Sequence, residues 1–329
     1  MNNSVSSVVT VDKYVARNRK LRKVRKVASN LFRLISLISV GYIVLYPLLY
    51  MVVTSISTNE SLASSSRIWI PSSVTLENYK FVADVMKFGK SIWSTFSNEI
   101  LAALIEVCSC AVVAYGFARY EFKLKKPLMG ILYLTILIPL SMLIIPLSVN
   151  FSQLDFVGIL GLFNKLTGID LRPNLIGTPF AFWLPAFLAS GLQSGILILI
   201  YIQFFKEMPA EFEEAAQVDG AGPIRTFIKI IIPSSGVVII TVLIFSLIWH
   251  WNDYQMALMY MDENYPLSVQ LSMLGDNLTM RGFYMSQSTP IVSAYLMCGC
   301  VMFVLPLLIV YMIVQRWFIE SVDRVGITG

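Results

Sequence analysis

Apolar stretches long enough to cross a lipid bilayer recur along this 329-residue chain. A spanning helix needs about 20 such residues to cross ~30 Å of hydrocarbon. Hydrophobic residues make up 56% of the sequence, charged residues only 14%, and the mean hydropathy is +0.70, which excludes an ordinary soluble domain. We therefore predict an all-α membrane protein. Its six transmembrane helices are expected at about residues 31–54, 96–118, 128–150, 180–204, 230–252 and 290–314.

The distribution of Lys and Arg predicts the orientation of these helices. Of the 25 basic residues, 18 fall in the two terminal segments and in alternate loops, and 7 fall in the loops between them. Because cytoplasmic segments of membrane proteins carry an excess of Lys and Arg, both termini are predicted to be cytoplasmic. The net charge of +5 then reports topology rather than a nucleic-acid surface. The predicted divisions are a basic N-terminal tail at 1–30, a transmembrane domain at 31–314 and a cytoplasmic C-terminal tail at 315–329.

The residue types that metal sites and catalysis require are sparse. The four cysteines form the pairs Cys108/Cys110 and Cys298/Cys300, and residues two apart on a helix point to different faces. Since the chain has a single histidine, we expect no metal site and interpret the cysteines as small packing residues between helices. We find no nucleophile–base pair, so we expect no catalytic residue and no enzyme activity in this chain.

One charged block interrupts the apolar pattern between the fourth and fifth predicted spans. Residues 207–224 contain the acids Glu207, Glu211, Glu213, Glu214 and Asp219. Pro209 suits the first turn of a helix, and the acids that follow it lie near the positive end of the helix dipole. Gly220 is placed to end the helix in a left-handed cap, and Gly222-Pro223 turns the chain toward the fifth span. We predict a short helix across the membrane face that a partner protein could seat in a groove. A plain amphipathic loop that only caps the bundle is the alternative.

The same block carries a pattern of fixed positions. From Glu214 to Pro233 the sequence reads EAA, three residues, Gly, nine residues, Ile, one residue, then Ile and Pro. This pattern resembles the cytoplasmic signature of the permease subunits of bacterial ABC importers, which implies the type I ABC importer permease fold. In that family the helix docks on the ATP-binding subunit and transmits its closure to the permease. The resemblance assigns this coupling role to Glu213, Glu214, Ala215, Ala216, Asp219, Gly220, Ala221 and Pro233.

Weaker motifs narrow the resemblance to the carbohydrate-uptake branch, and within it to the maltose-type second permease subunit. They are Leu76-Glu77-Asn78-Tyr79, Ala114-Tyr115-Gly116-Phe117-Ala118-Arg119, Trp251-Asn252-Asp253 and Gln315-Arg316-Trp317-Phe318. In that branch a short C-terminal tail reaches toward the ATPase pair, which assigns Gln315 and Arg316 to that contact. The tail departs from the usual small, Gly-rich ending, since it carries Glu320, Asp323 and Arg324.

The resemblance also implies partners and a division of the chemistry between subunits. The partners would be a second, homologous permease subunit, two ATP-binding subunits, an extracellular solute-binding protein, membrane lipid and a sugar or oligosaccharide, with no nucleic acid. This chain is expected to hold no cofactor, since ATP and Mg²⁺ would be bound by the ATPase subunits. Its Gly89-Lys90-Ser91 is no phosphate loop, because Asp84 stands where that loop has a glycine. The expected location is the bacterial cell membrane, which the chain would cross several times.

Polar and aromatic residues inside the predicted spans are candidates for the substrate pathway, because burying polar groups in a membrane is costly. These candidates are Asn98, Glu106, Trp249, Trp251, Asn252 and Asp253. Tryptophan also lines membrane interfaces without any ligand, and Asn252 and Asp253 also suit the end of a helix. Glu106 fits a pathway group or a hydrogen bond between helices. Glu99 fits either a polar group of the pathway or a residue at the interface near the outer surface.

Two alternative functions are left open by these residues. An ABC permease for another solute, such as glycerol-phosphate or a peptide, conflicts only with the weaker flanking motifs. An ion-driven secondary carrier would leave the charged block unexplained. Such carriers often contain inverted repeats, and we see none in this sequence.

Overall fold

The computed structural model describes residues 3–63, 71–155, 158–283 and 290–326. Within these ranges the regular secondary structure is helical, apart from one isolated bridge between Ser57 and Val74. The predicted all-α class is therefore confirmed. In chain order the helices are α1 (Asn3–Ser55), α2 (Asn59–Ala63), α3 (Glu77–Val85), α4 (Phe88–Arg119), α5 (Lys125–Leu137), α6 (Leu140–Ser152), α7 (Ile159–Thr167), α8 (Phe180–Phe187), α9 (Ser194–Glu207), α10 (Glu211–Val218), α11 (Pro223–Ser234), α12 (Gly236–Asn252), α13 (Gln255–Tyr260), α14 (Leu267–Ser272), α15 (Leu274–Met280) and α16 (Pro290–Gly326).

Three of these helices are long and apolar enough to cross a membrane, namely α1 from Arg25 onward, α4, and α16 up to Ile313. They coincide with the predicted spans at 31–54, 96–118 and 290–314. Helix α1 begins at Asn3, so the basic N-terminal segment and the first predicted span form one helix.

Two other predicted spans are bent helix pairs. The range 128–150 corresponds to α5 and α6, which meet at an angle of 105°. Ile138 has extended backbone geometry there, as expected of the residue that precedes a proline, Pro139. The range 230–252 corresponds to α11 and α12, which are bent by 81° at Ser235. If each bent pair is one span, the described residues contain up to five spans.

The predicted span at 180–204 is not a single helix. Helices α8 and α9 cover its two ends, and the segment between them is not helical and contains Ala189 and Gln193, whose φ angles are +52° and +59°. Gly191 lies in this segment, where an added Cβ atom would approach Glu106 Oε1 to 2.7 Å. Periodicity alone does not report such a break, because both halves are apolar. The predicted transmembrane helix at 180–204 is thus two helices in the structure, and the predicted number of six spans stays a prediction.

Helix α4 lies at the centre of the described bundle. Its buried residues Cys110, Ala111 and Ala114 belong to a hydrophobic cluster that also includes Tyr201 of α9 and Val242 of α12. Small side chains let neighbouring helices approach closely, which is the main source of packing energy between helices in lipid. Cys110 therefore packs as a small residue, as predicted, and Cys298 is also buried, whereas Cys108 is exposed and does not fit that interpretation.

A glycine contact fixes how α16 packs on α14 and α15. A Cβ atom at Gly299 would overlap Leu274 and lie 3.1 Å from Leu271. Leu274 is fully buried, so it has little room to move away. The close approach of α16 therefore depends on the absence of a side chain at position 299.

We expect Gly299→Ala to destabilise the protein by about 1–3 kcal/mol through overpacking. The matched control is Gly130→Ala on α5, where the new Cβ would meet no atom within 4 Å. Alanine favours helix over glycine, so the control should be neutral or slightly stabilising. Thermal unfolding of the purified protein measures both, and equal midpoints for the two variants would contradict this packing argument.

Candidate functional site

Helix α10 is the short helix that the sequence predicted in the charged block. It begins at Glu211, and the Ala210 carbonyl accepts the backbone N–H groups of Glu213 and Glu214 at 2.9 and 3.1 Å. Its first turn carries three acids, Glu211, Glu213 and Glu214, where the helix dipole favours negative charge.

The end of α10 has the predicted left-handed cap. Gly220 has a φ of +74°, and Ala221 donates its N–H to the Ala216 carbonyl at 2.9 Å. A Cβ atom at Gly220 would meet nothing within 4 Å, so the backbone angle alone favours glycine there. Pro223 is the first residue of α11, as the Gly222-Pro223 turn predicted.

The inner face of α10 is held by the end of α4. The Tyr115 hydroxyl donates to Glu213 Oε1 at 3.0 Å, and Arg119 Nε lies 3.2 Å from the same oxygen. Arg119 Nη2 also donates to the Met208 carbonyl, just before α10, at 2.7 Å. Ala216 is buried on this face. Glu213 and Ala216 therefore attach α10 to the bundle.

The outer face of α10 carries the other predicted coupling residues. Glu214, Ala215, Asp219 and Gly220 are exposed, Ala221 is half-buried, and Pro233 is exposed on α11. An apolar groove of about 620 Å³ is lined by Pro209, Glu211, Phe212, Ala215 and Ile230. Val218 on the same helix is 88% exposed. An exposed apolar surface with acids at its edge is suited to contact with another protein.

Asn98 lies beside a second groove, remote in sequence from α10. This groove of about 360 Å³ is lined by Lys90, Trp93, Ser94, Ser97, Asn98, Pro179, Met261 and Asn264. The Asn98 amide donates to Ser94 Oγ at 2.9 Å, and the Trp93 ring is 73% exposed. Sequence reasoning missed Trp93 and Lys90 because they precede the predicted second span.

The two tryptophans of α12 have different surroundings. Trp251 is 2% exposed, and its indole N–H donates to the Phe303 carbonyl of α16 at 3.2 Å. It is a core residue that joins α12 to α16, so it fits neither the interface interpretation nor an open contact with substrate in this chain. Trp249 is partly buried and stacks on Phe245.

The end of α12 is shaped by the two polar residues that follow its tryptophans. Asp253 is buried and accepts the Met256 N–H at 3.1 Å, which caps the start of α13. Asn252 is exposed and donates to the Ile248 carbonyl at 2.7 Å. Both contacts match the predicted alternative of a helix-end role.

Glu106 belongs to a buried cluster between α4 and α12. His250 Nδ1 lies 3.1 Å from Glu99 Oε2, and His250 Nε2 lies 3.1 Å from Glu106 Oε2. Ser194 and Ser246 donate to Glu106 at 2.5 and 3.0 Å. Of the two interpretations of Glu106, the structure supports the bond between helices.

Of the two interpretations of Glu99, a position at the outer interface is wrong, since its side chain is 1% exposed. Glu99 belongs to a π-helical turn, Thr95–Ile100, within α4. The sequence signal for its partner was the single histidine inside a span, because buried acids of membrane helices are usually paired.

The predicted tail contact lies on the extension of α16. This helix continues without a break through 315–326, so the tail is not a separate element there. Gln315 is half-buried, while the side chain of Arg316 lies outside the described residues.

The segment between α7 and α8 carries an exposed ion pair. Hydrogen bonds from the Arg172 guanidinium and backbone N–H lower the pKa of Asp170 to about 2. The pair is solvent-exposed, so we assign it no role in stability.

Comparison with known proteins identifies the class to which this arrangement of helices belongs. Residues 109–324 match the family described as the binding-protein-dependent transport system inner membrane component. The chain belongs to this family. It is therefore a permease component of a membrane transport system.

Two relatives and one solved structure extend the match over nearly the whole permease. LplC of Bacillus subtilis (strain 168) is 26% identical over 309 residues, covering 92% of this chain and 95% of LplC. The trehalose transport system permease protein SugB of Mycobacterium tuberculosis (strain CDC 1551 / Oshkosh) is 26% identical over 290 residues, covering 88% and 94%. A chain of a bacterial ABC transporter that imports the acidic polysaccharide alginate matches with a TM-score of 0.62 at 20% identity, covering 88% of this permease and 98% of that chain. That likeness confirms the predicted type I permease fold.

We expect Glu213→Gln to loosen α10, because it removes the charge that pairs with Arg119. The matched control is Glu211→Gln, two residues earlier on the same helix, where the side chain is exposed. Hydrogen–deuterium exchange of the amides in 211–221 should be faster in Glu213→Gln than in the control. The contact with α4 would have no holding role if both variants exchanged at the wild-type rate.

Proposed function

We propose that this permease is a subunit of an ATP-driven importer that moves a sugar or oligosaccharide into the cytoplasm. The family match supports the transport role. The names of relatives support the substrate class, since SugB belongs to a trehalose system and the structural neighbour to an alginate importer. The chain itself is a non-catalytic part of the transport path, in the membrane of a bacterial cell with both termini in the cytoplasm.

The observation that carries this proposal is the division of α10 into two faces. One face is attached to α4 through Glu213 and Ala216, and the other exposes Glu214 and Ala215 beside an apolar groove. A subunit that seats this outer face can move α10, and the contact with α4 then passes the movement into the bundle. This is the arrangement that coupling to an ATPase requires.

The proposed complex contains a second permease, two ATP-binding subunits and an extracellular solute-binding protein. ATP and Mg²⁺ are bound by the ATP-binding subunits, and this chain supplies no ligand to them. The apolar residues exposed along α1, α5 and α6, such as Leu37, Leu137 and Ile145, are suited to lipid and to the second permease. The C-terminal segment 315–329, with Gln315 and Arg316, is proposed to extend toward the ATPase pair.

Transport follows from differential binding of ATP to two arrangements of the complex. ATP-driven closure of the ATPase pair draws α10 and the corresponding helix of the second permease together. This movement favours the outward-facing cavity. Hydrolysis removes that preference, and the inward-facing arrangement returns. A ligand shifts such an equilibrium only by its difference in affinity for the two states.

The groove around Trp93 is the surface that we propose the sugar meets on its way in. An exposed indole face offers apolar area, and Lys90, Asn98 and Asn264 around it carry polar groups. Sugar-binding sites combine an apolar face with a few placed donors and acceptors. Asn98 is the one residue predicted for the pathway that lines this groove.

An ABC permease for another solute is the second candidate. The two candidates are distinguished by which solute stimulates ATP hydrolysis by the complex, a sugar or another compound. An ion-driven carrier is less well supported, because it has no ATPase partner and would leave the exposed face of α10 without a function.

We expect Glu214→Lys to uncouple transport from ATP hydrolysis, because the charge reversal lies on the exposed face of α10. Losing a paired charge at an interface costs about 2 kcal/mol or more, so uptake should fall by roughly tenfold or more. Gly220→Val should act in the same direction by disfavouring the left-handed cap.

The control for this charge reversal is Glu121→Lys, on the short loop between α4 and α5. Uptake by the reconstituted complex, measured together with membrane insertion, separates coupling from folding. Wild-type uptake by Glu214→Lys would remove the docking role from α10.

Trp93→Ala should raise the sugar concentration needed for half-maximal uptake by about threefold to tenfold, since aromatic contacts contribute about 0.5–1.5 kcal/mol. Trp93→Phe keeps an aromatic face and should recover most of the loss. If both variants behave as wild type in the same reconstituted assay, the groove is not part of the sugar path.

A further inference from the structure

The cluster of Glu99, His250 and Glu106 is the most buried charged group in the described residues. The side chains are 1%, 5% and 0% exposed, so water does not screen them. The two acids come from α4, seven residues apart, and the imidazole enters between them from α12. Neither the coupling role of α10 nor the Trp93 groove uses these groups.

The number of hydrogens that its two nitrogen–oxygen contacts require constrains the protonation state of this cluster. Both ring nitrogens face a carboxylate oxygen at 3.1 Å, and each of these contacts requires one hydrogen between its two atoms. A neutral imidazole carries only one N–H, and ionised carboxylates carry none. One further hydrogen must therefore lie within the cluster, either on the ring or on a carboxyl group.

The surroundings of the two acids show at which contact this hydrogen lies. Glu106 accepts from Ser194 and from Ser246, which shares its hydroxyl between Glu106 and the Ala103 carbonyl. With the His250 N–H, three donors therefore face the two oxygens of Glu106. Glu99 has one contact, and its Oε1 has no partner among the described residues. The additional hydrogen therefore lies between His250 Nδ1 and Glu99.

Other titratable groups lie behind this cluster on the elements that pack against it. Asp253 at the end of α12 is near Glu99 and His250, and Cys110 on α4 is near Glu106. Tyr201 of α9 lies behind Cys110, and Tyr260 of α13 lies behind Asp253. Asp253 adds negative charge on the Glu99 side, which further favours a positive hydrogen-bond donor there.

We propose that Glu99, His250 and Glu106 form a buried proton-binding site that clamps α4 to α12. With the proton, two acids and an imidazolium leave one negative charge, and each short contact has its hydrogen. Without it, two carboxylates face a neutral ring in an apolar bundle, and the contact at Glu99 becomes repulsive. The proton is therefore the ligand that holds these two helices in register.

The clamp also has a consequence for transport, which rests on the proposed function. Glu106 bonds Ser194 of α9 as well as Ser246 of α12, so the cluster joins three helices. The same helix α4 contacts α10 through Tyr115 and Arg119. Glu99, His250 and Glu106 are thus positioning residues that make α4, α9 and α12 respond together when α10 moves.

The proton is tested by spectroscopy on the whole transport complex at about pH 7.5. This chain has one histidine, so the ¹⁵N spectrum of [¹⁵N]histidine-labelled wild-type complex minus that of His250→Gln isolates one ring. We expect an imidazolium with both nitrogens protonated, or a carboxylic acid infrared band that Glu99→Gln abolishes. A neutral ring without such a band overturns the proposal.

Matched substitutions test the clamp. In Glu99→Gln the amide N–H replaces the proton by donating to a neutral Nδ1, so the unfolding midpoint should stay near wild type while the proton signature disappears. His250→Gln leaves two buried acids without a cation and should lower the midpoint by about 5 °C or more. The double variant Glu99→Gln/His250→Gln should recover part of that loss.

Glu263→Gln, an exposed acid outside the cluster, is the control for removal of a charge. A Glu99→Gln variant as unstable as His250→Gln would overturn the proton-bound clamp, as would a wild-type midpoint for His250→Gln. If His250→Gln does not assemble, the Glu99→Gln midpoint and the wild-type minus Glu99→Gln difference spectra (¹⁵N and infrared) decide alone. The spectra and the unfolding midpoints do not depend on transport. If the proposed sugar uptake is not observed, these measurements are unaffected, so the two proposals fail or hold separately.

Discussion

Helix α4 must keep its polar side chains bonded inside an apolar bundle, and the rest of the structure is arranged around this requirement. Its interior carries Glu99 and Glu106, which bond to His250 of α12 and, through Glu106, to Ser194 at the start of α9. Its far end carries Tyr115 and Arg119, which contact Glu213. Because unbonded polar groups in a membrane are costly, these contacts fix which helices α4 can touch and in which register.

The irregular backbone around α4 follows from the same contacts. The segment between α8 and α9 passes so close to Glu106 that a side chain at position 191 has no space, and the residue there is Gly191. The π-helical turn Thr95–Ile100 carries Glu99, which it presents to His250. Insertions of this kind are common where a helix directs a particular side chain to a site. Bends of 105° at Pro139 and 81° at Ser235 interrupt two more of the predicted spans.

Local patterns predicted the parts of the candidate site that depend on neighbours in sequence. The acids of α10, its left-handed cap at Gly220 and the start of α11 at Pro223 follow from dipoles, backbone angles and proline geometry. The division of its residues into a held and an exposed face did not follow, because it depends on Tyr115 and Arg119, about 100 residues earlier. The core position of Trp251 was missed for the same reason, since Phe303 comes from another helix.

The sequence by itself determined the membrane-embedded all-α class, most of the apolar ranges and the short acidic helix α10 with its glycine cap. These depend on composition, on runs of about 20 apolar residues and on turn chemistry, all of which are local. Only the tertiary structure decided that 180–204 is two helices, that Glu99 is buried and that His250 lies between two acids. Those outcomes depend on contacts between residues up to 151 positions apart, which no local pattern encodes.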